Sequence, residues 1–386
     1  MGDAQGLGFV GFLVYGGVRM GSTPLSRRDF VKSTALGAVA VAARLDAAAA
    51  RLARPEDEAA IWKTPSFNGE MEYRRLGKTN LWVSAACMGG HWKRINTVVK
   101  DVRTSGWEPL TDQLHPDFEK NRYDVVTHCI ERGINLVDAC SAREIVTYAR
   151  ALKGRRDKML MTFSWFENES RFPEWRTAPK LLQALENGMK IAGLEHVDLW
   201  RISALMDGKH TQAETDEMIK ALDTARKQGK VRFTGVSSHA REWLKMLIET
   251  YPDTIQFIVS PYTADSKVLP TDSLFGAVVK HDVGFLGIKP FASNSLFKGD
   301  SSLNSAEKDE DDRRARLAIR YILCNPAVTA PIPGLINHHQ VDNVVAAVKE
   351  SRQLDRTEKA ELDQAGKEMW ARLPADYQWL KDWRHV

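Results

Sequence analysis

The sequence predicts an α/β fold, a (β/α)8 TIM barrel, on three observations. Between residues 80 and 350, short apolar runs rich in β-branched residues alternate with segments of helical hydrophobic period, the pattern of parallel strands joined by crossover helices. Eight runs and eight amphipathic segments fall within about 270 residues, the size of such a barrel. Three segments, 93–116, 165–176 and 292–311, interrupt the rhythm just after strand ends, where barrel sites are built.

Composition excludes other classes. With 43% hydrophobic and 27% charged residues among 386, the chain can bury a large core and is neither fibrous nor disordered. Its 54 basic residues nearly balance 50 acidic ones, a net charge of +4, so nothing calls for a nucleic-acid partner. Cys87, Cys129, Cys140 and Cys324 form no Cys-x-x-Cys pair and read as mostly buried thiols. His338-His339 has no third ligand at metal spacing, so no metal is expected.

The elements follow in order. Ser26-Arg27-Arg28-Asp29-Phe30-Val31-Lys32 leads into an Ala- and Gly-rich apolar run and then Ala47-Ala48-Ala49-Ala50. Charged head, weak apolar helix and small residues resemble a twin-arginine export signal, which implies the export machinery as a partner and a periplasmic mature protein. Met20, just ahead of it, reads as the true start. The apolar run is shorter than the ~20 residues that span a bilayer, so no stable span is expected in the mature chain. Residues 1–50 are the signal region, 51–70 a proline-broken linker, 71–350 the barrel and 351–386 a C-terminal helix and tail.

Within the barrel, strands are expected at 82–88, 135–139, 159–164, 197–203, 231–237, 254–259, 284–288 and 328–332. Helices are expected at 118–132, 143–152, 181–192, 215–228, 241–250, 274–280, 312–324 and 339–350, with one more at 356–373. The aromatic tail with Trp379 and Trp383 either covers the barrel mouth or packs on its outside.

Particular motifs run through this domain. They include Tyr73-Arg74-Arg75-Leu76-Gly77-Lys78-Thr79-Asn80-Leu81, Gly133-Ile134-Asn135-Leu136-Val137-Asp138, Gly229-Lys230-Val231-Arg232-Phe233-Thr234-Gly235-Val236-Ser237, and Asn325-Pro326-Ala327-Val328 leading into Ile332-Pro333-Gly334. In order and spacing the domain resembles the aldo-keto reductases. That resemblance implies hydride transfer between a nicotinamide, NAD(P), and a carbonyl, with a Tyr phenol giving the proton. A free phenol has a pKa near ~10, so the family tunes it with Lys and Asp and orients the substrate with His.

Three of these four roles lack the expected residue. Asp138 stands where the family has its Asp, but Arg143 falls at the Tyr position in a shortened loop, Ser164 at the Lys and Ser203 at the His. Tyr148 is the nearest phenol in sequence, ten residues past Asp138 and mid-helix. Asp138, His91 and Lys289 are therefore the candidate catalytic groups. On the nucleotide side the resemblance implies roles for Ser237, Ser238, Lys289, Gly334, Gln340, Asp342 and Asn343, because a helix start presents N–H groups to phosphate.

Trp92 follows His91 at the rim of the first strand, and Trp165 opens the second interrupting segment; both are candidate substrate contacts. Arg201 sits two residues before Ser203 and so faces the same side of its strand. A guanidinium inside a barrel needs an anion, from Asp138 or from a ligand carboxylate. Export of an already folded protein suits a tightly held cofactor. The reading is an NAD(P)-linked oxidoreductase acting on a small polar carbonyl or hydroxyl compound such as a sugar derivative, with a non-standard proton donor. A non-redox lyase or isomerase, and a non-catalytic periplasmic ligand-binding protein, are the alternatives.

Overall fold

The computed structural model describes residues 55–102, 110 and 115–386. The export-signal reading, with Arg27 and Arg28, lies outside the described residues, as does much of the 93–116 insertion. Tyr73–Arg75 (β1) and Trp82–Ser84 (β2) form an antiparallel hairpin. Eight parallel strands follow: Met88–Gly89 (β3), Leu136–Ala139 (β4), Leu160–Phe163 (β5), Val197–Ser203 (β6), Val231–Ser237 (β7), Phe257–Pro261 (β8), Gly284–Ile288 (β9) and Ala330–Ile332 (β10). They pair in chain order. The ring closes where Cys87 N–H donates to Pro331 O at 3.0 Å and Gly89 N–H to Pro333 O at 2.7 Å. The predicted (β/α)8 barrel is the observed fold, with helices between successive strands.

The expected first strand, 82–88, proves to be two elements. Trp82–Ser84 pairs with β1 outside the barrel ring, and the chain turns at Ala85–Cys87 before entering the barrel as two residues only. An apolar run records burial, not direction, and here it is buried on both sides of a turn. The eighth strand and the sixth also begin two to three residues later than expected. In the stretch read as a linker, Pro55–Ile61 is a helix, since proline suits a first helical position.

Strand period two layers the interior. Leu136, Leu160 and Leu199 make an apolar floor with Phe257 and Leu286, sealed from below by Leu76 and Val83 of the hairpin. Two residues on, Asp138, Thr162 and Arg201 form a polar layer, and two further on lie Cys140, Ser164 and Ser203. The core is thus apolar at the strand starts and polar at the strand ends.

The helix Arg356–Ala371 opens with a capping box between Asp355 and Glu358 and is clamped to Lys308–Leu323 by Arg320–Glu358 and Arg314–Glu368, each 2.6 Å. The chain then crosses the strand ends as the 3-10 helix Ala375–Arg384. Of the two tail readings, Trp379 meets the mouth, while Trp383 is buried beside it and its indole N–H donates to His239 O at 3.0 Å. Val386 is buried; its N–H donates to Lys267 O at 2.8 Å and its carbonyl accepts from Leu269 N–H at 2.6 Å. Cys87, Cys129 and Cys140 are buried free thiols, whereas Cys324 is exposed. Among the described residues no helix is long and apolar enough to cross a membrane.

Candidate active site

Arg201 and Asp138 face each other inside the barrel with side chains 3% and 7% exposed. The guanidinium donates from Nε at 3.0 Å and from Nη2 at 2.9 and 3.0 Å, and Thr162 Oγ1 donates to the same carboxylate. Of the two anions open at the sequence level, Asp138 is the partner. One layer up, the Ser164 and Ser203 hydroxyls lie 2.8 Å apart and Ser164 donates to Glu169 Oε2 at 2.6 Å. The Ser203 and Trp165 amides donate to the same carboxyl at 2.7 and 3.1 Å. Burial pushes the Glu169 pKa up, against the pull of these donors. At these two strand ends the chain has a buried carboxyl held by Ser164 and the Ser203 amide.

Above these layers opens a cavity of about 270 Å³ at the strand ends. His91, Asp138, Arg201, Ser237, Lys289 and Gly334 all line it, so six sequence-level candidates converge. His91 Nδ1 is 2.6 Å from Glu144 Oε1, and Glu144 Oε2 accepts from the Cys140 amide at 2.8 Å. Cys140 Sγ lies 3.9 and 4.0 Å from the two His91 ring nitrogens. His91, Cys140 and Glu144 are close enough to hold a metal ion, a grouping that sequence spacing did not predict. Burial, then Glu144, push the Cys140 thiol well up, so it stays protonated.

Other candidates lie elsewhere. Trp92 is fully buried, edge-on to Phe118 and Tyr148, which makes it core and not a substrate contact. Trp165 is packed against Phe163 and over Gly188, where any Cβ would collide with the indole. Ser238 spends its hydroxyl on Leu205 O at 2.8 Å. Asp342 faces away, paired with His128 at 2.9 Å and Arg132 at 2.7 Å. Tyr148 is fully buried and donates to Gly89 O at 2.9 Å, with burial raising its pKa. The helices turn Tyr148 and Asp342 away from the cavity, and the loop paths after the strands turn Trp92, Trp165 and Ser238 away from it.

The mouth also holds residues that sequence reasoning missed. Tyr377 comes from the tail, beside the foreseen Trp379, Lys93 from the first loop, and His239 from just after β7. Trp379 stacks on His239 with centroids 3.8 Å apart. Burial, then Lys289 and Arg171, hold His239 well below the usual imidazole range, so it is neutral at pH 7. Its Nδ1 is buried and has no hydrogen-bond partner among the described residues. The signal for His239 was present in its place directly after Ser237-Ser238.

A second cavity, of about 70 Å³, adjoins the first, and Lys93, Phe291, Asn294 and Gly334 wall both. It runs to the start of the helix His338–Lys349, where Asn337 caps by accepting from the Gln340 amide at 2.8 Å. Gln340 and Asn343 line it, but their side chains are engaged with the Ile336 amide and with Arg316 and Asp312. Asn337 Nδ2 is buried without a partner among the described residues.

Residues 112–367 match the family described as Aldo/keto reductase. The chain belongs to that family. An aldo-keto reductase from Bacillus halodurans, in its holo form, superposes with a TM-score of 0.54 at 20% identity, covering 76% of this chain and 96% of that one. An uncharacterized oxidoreductase of Schizosaccharomyces pombe is 28% identical over 50% of this chain and 61% of its own length. The L-galactose dehydrogenase of Arabidopsis thaliana is 22% identical over 74% of this chain and 90% of its own. Aldo-keto reductases generally use NAD(P)H. The paired cavities of this aldo-keto reductase fit such a group: the orphaned Asn337 amide and the helix start offer donors where phosphate or adenine needs them.

Proposed function

We propose that this aldo-keto reductase is an NAD(P)-linked oxidoreductase acting on a small polar carbonyl or hydroxyl compound, such as a sugar derivative, in the periplasm after twin-arginine export. The observation that carries the reading is the pair of adjoining cavities, one at the charged barrel mouth and one at a helix start with an unsatisfied buried donor. Asn337 and the helix start would take the adenine end, with Gln340 and Asn343 in its wall. Lys289 would face the pyrophosphate and Ser237 the carboxamide. The bound nucleotide supplies or accepts a hydride at the substrate carbon.

The chain's own residues do the rest. His91, oriented by Glu144, and the neutral His239 offer hydrogen bonds to substrate oxygens. The Asp138–Arg201 pair keeps a fixed dipole beneath the reacting centre without adding net charge. Three features support a sugar: the polar lining, the two orienting histidines and the likeness to L-galactose dehydrogenase. Export is supported by the Arg27-Arg28 motif and by the advantage of loading a cofactor before crossing.

The test is fluorescence titration of the purified protein with NADH and NADPH, with mass spectrometry of any small molecule released on denaturation. Binding of one of them, or its release, is expected. Neither would transfer the weight to lyase or isomerase chemistry, or to ligand binding alone.

A further inference from the structure

The family's phenol is missing from its usual loop, and the structure explains why no residue there replaces it. After Asp138 the chain turns at once into the helix Ala142–Ala151, capped by Ser141, and Glu144 folds back to take the Cys140 amide. A side chain on Gly90 would strike that carboxylate, so the loop side of the mouth is full. The opposite side is closed by the tail. We propose that Tyr377, carried into the barrel mouth by the C-terminal tail and hydrogen-bonded to Lys93, is the proton donor to the substrate oxygen. This assignment rests on the oxidoreductase reading above.

Four observations support it. Tyr377 lines the same cavity as His91, Asp138 and Arg201. Lys93 Nζ donates to its hydroxyl at 2.9 Å and also to Ser293, and lies 4.2 Å from the ring centroid. Lys289 Nζ is 5.5 Å from the same centroid, so two ammonium groups from different loops face one phenol. The tail that carries it is anchored by buried Leu380, Trp383 and Val386, which fixes the hydroxyl as a lid would not.

The charge environment agrees. Burial acts to raise the Tyr377 pKa, but Lys289 and Lys93 outweigh it and hold the phenol below its ordinary value of 10.0. The only acid of the tail lining the cavity is Asp376, an exposed neighbour. A phenol beside an ammonium is the family's own device, here assembled from a loop and a tail in place of two adjacent strand ends.

In the reducing direction the Tyr377 O–H bond breaks and the proton passes to the carbonyl oxygen, while the carbonyl carbon takes a hydride from a reduced nicotinamide. The carbonyl becomes an alcohol and the nicotinamide is oxidised. The phenolate left behind is held by the Lys93 ammonium and regains a proton from solvent at the mouth. Oxidation of an alcohol runs the same transfers backwards.

The experiment compares the full chain with Tyr377→Phe and Lys93→Met. Tyrosinate absorbance against pH should show one phenol ionising below the others in the wild type, absent in Tyr377→Phe and moved upward in Lys93→Met. NADH affinity should be alike in the wild type and Tyr377→Phe. With a panel of aldoses that includes L-galactose, Tyr377→Phe should lose about 10²–10⁴-fold in kcat with little change in KM, the usual loss of a general acid. In Lys93→Met the pH profile should shift upward with the phenol. Retained nucleotide binding with unchanged turnover in Tyr377→Phe overturns this assignment alone, as does the absence of an early-ionising phenol. A wild type that binds neither nucleotide, or turns over none of the panel, overturns the oxidoreductase reading and this assignment together.

Discussion

Arg201 of β6 and Asp138 of β4 form a buried ion pair across the barrel interior, with contacts of 2.9 to 3.0 Å. The planar guanidinium meets the carboxylate from both Nε and Nη2, a two-point contact that fixes the positive charge more rigidly than a single ammonium would.

Removing one member of that pair should be costly. Arg201→Met leaves a carboxylate buried and unpaired, for which about 3–5 kcal/mol of destabilisation is usual. Arg201→Met combined with Asp138→Leu should recover much of the loss, because both charges then leave. Denaturant melts of the wild type and the two variants measure it; equal stability of single and double variants would contradict the pairing.

At Gly334, a Cβ would lie 2.5 Å from the His91 carbonyl oxygen. The glycine is required where β10 passes the first barrel loop, before any ligand is considered. Gly334→Val should therefore lower the melting temperature as well as nucleotide affinity. A variant with wild-type stability that merely binds less nucleotide would show that the close approach is to the ligand alone.

Glu167 should make stability depend on pH. Burial raises its pKa from 4.5 to about 7, while the amides of Glu167 itself and Ala142 pull the other way and Glu144 and Glu169 add to the rise. A carboxyl whose folded pKa is raised stabilises fully below its unfolded value and loses that contribution as pH climbs through the folded one. Stability should thus fall between pH 4.5 and about 7, and Glu167→Gln should flatten that slope. An identical slope in the variant would place the titration elsewhere.

Export depends on Arg27 and Arg28 in the reading above. Changing both to Lys should hold the precursor in the cytoplasm, measured by fractionation. An unchanged periplasmic yield, or a mature start well before Ala47, would count against the twin-arginine route.

The local pattern of the sequence contains the barrel and half of the site. A period of two along each strand separates inward from outward residues, so Asp138 with Leu136, and Arg201 with Ser203, could be assigned to the interior without coordinates. Motif order then placed His91, Lys289 and Gly334 at strand ends, and these do converge. Only the tertiary structure decided the rest. Trp92 and Trp165 follow strand ends just as His91 does, yet they turn into the core, because a loop's path depends on what packs beneath it. Glu169 meets Ser164 and Ser203 through a loop with no period. Tyr377 reaches Lys93 from 284 residues away, because Trp383 and Val386 find burial against β7 and the segment after β8. Periodicity records which face of an element is buried; it carries no information about which distant surface a non-periodic tail will cover, since that is settled by the packing of the whole.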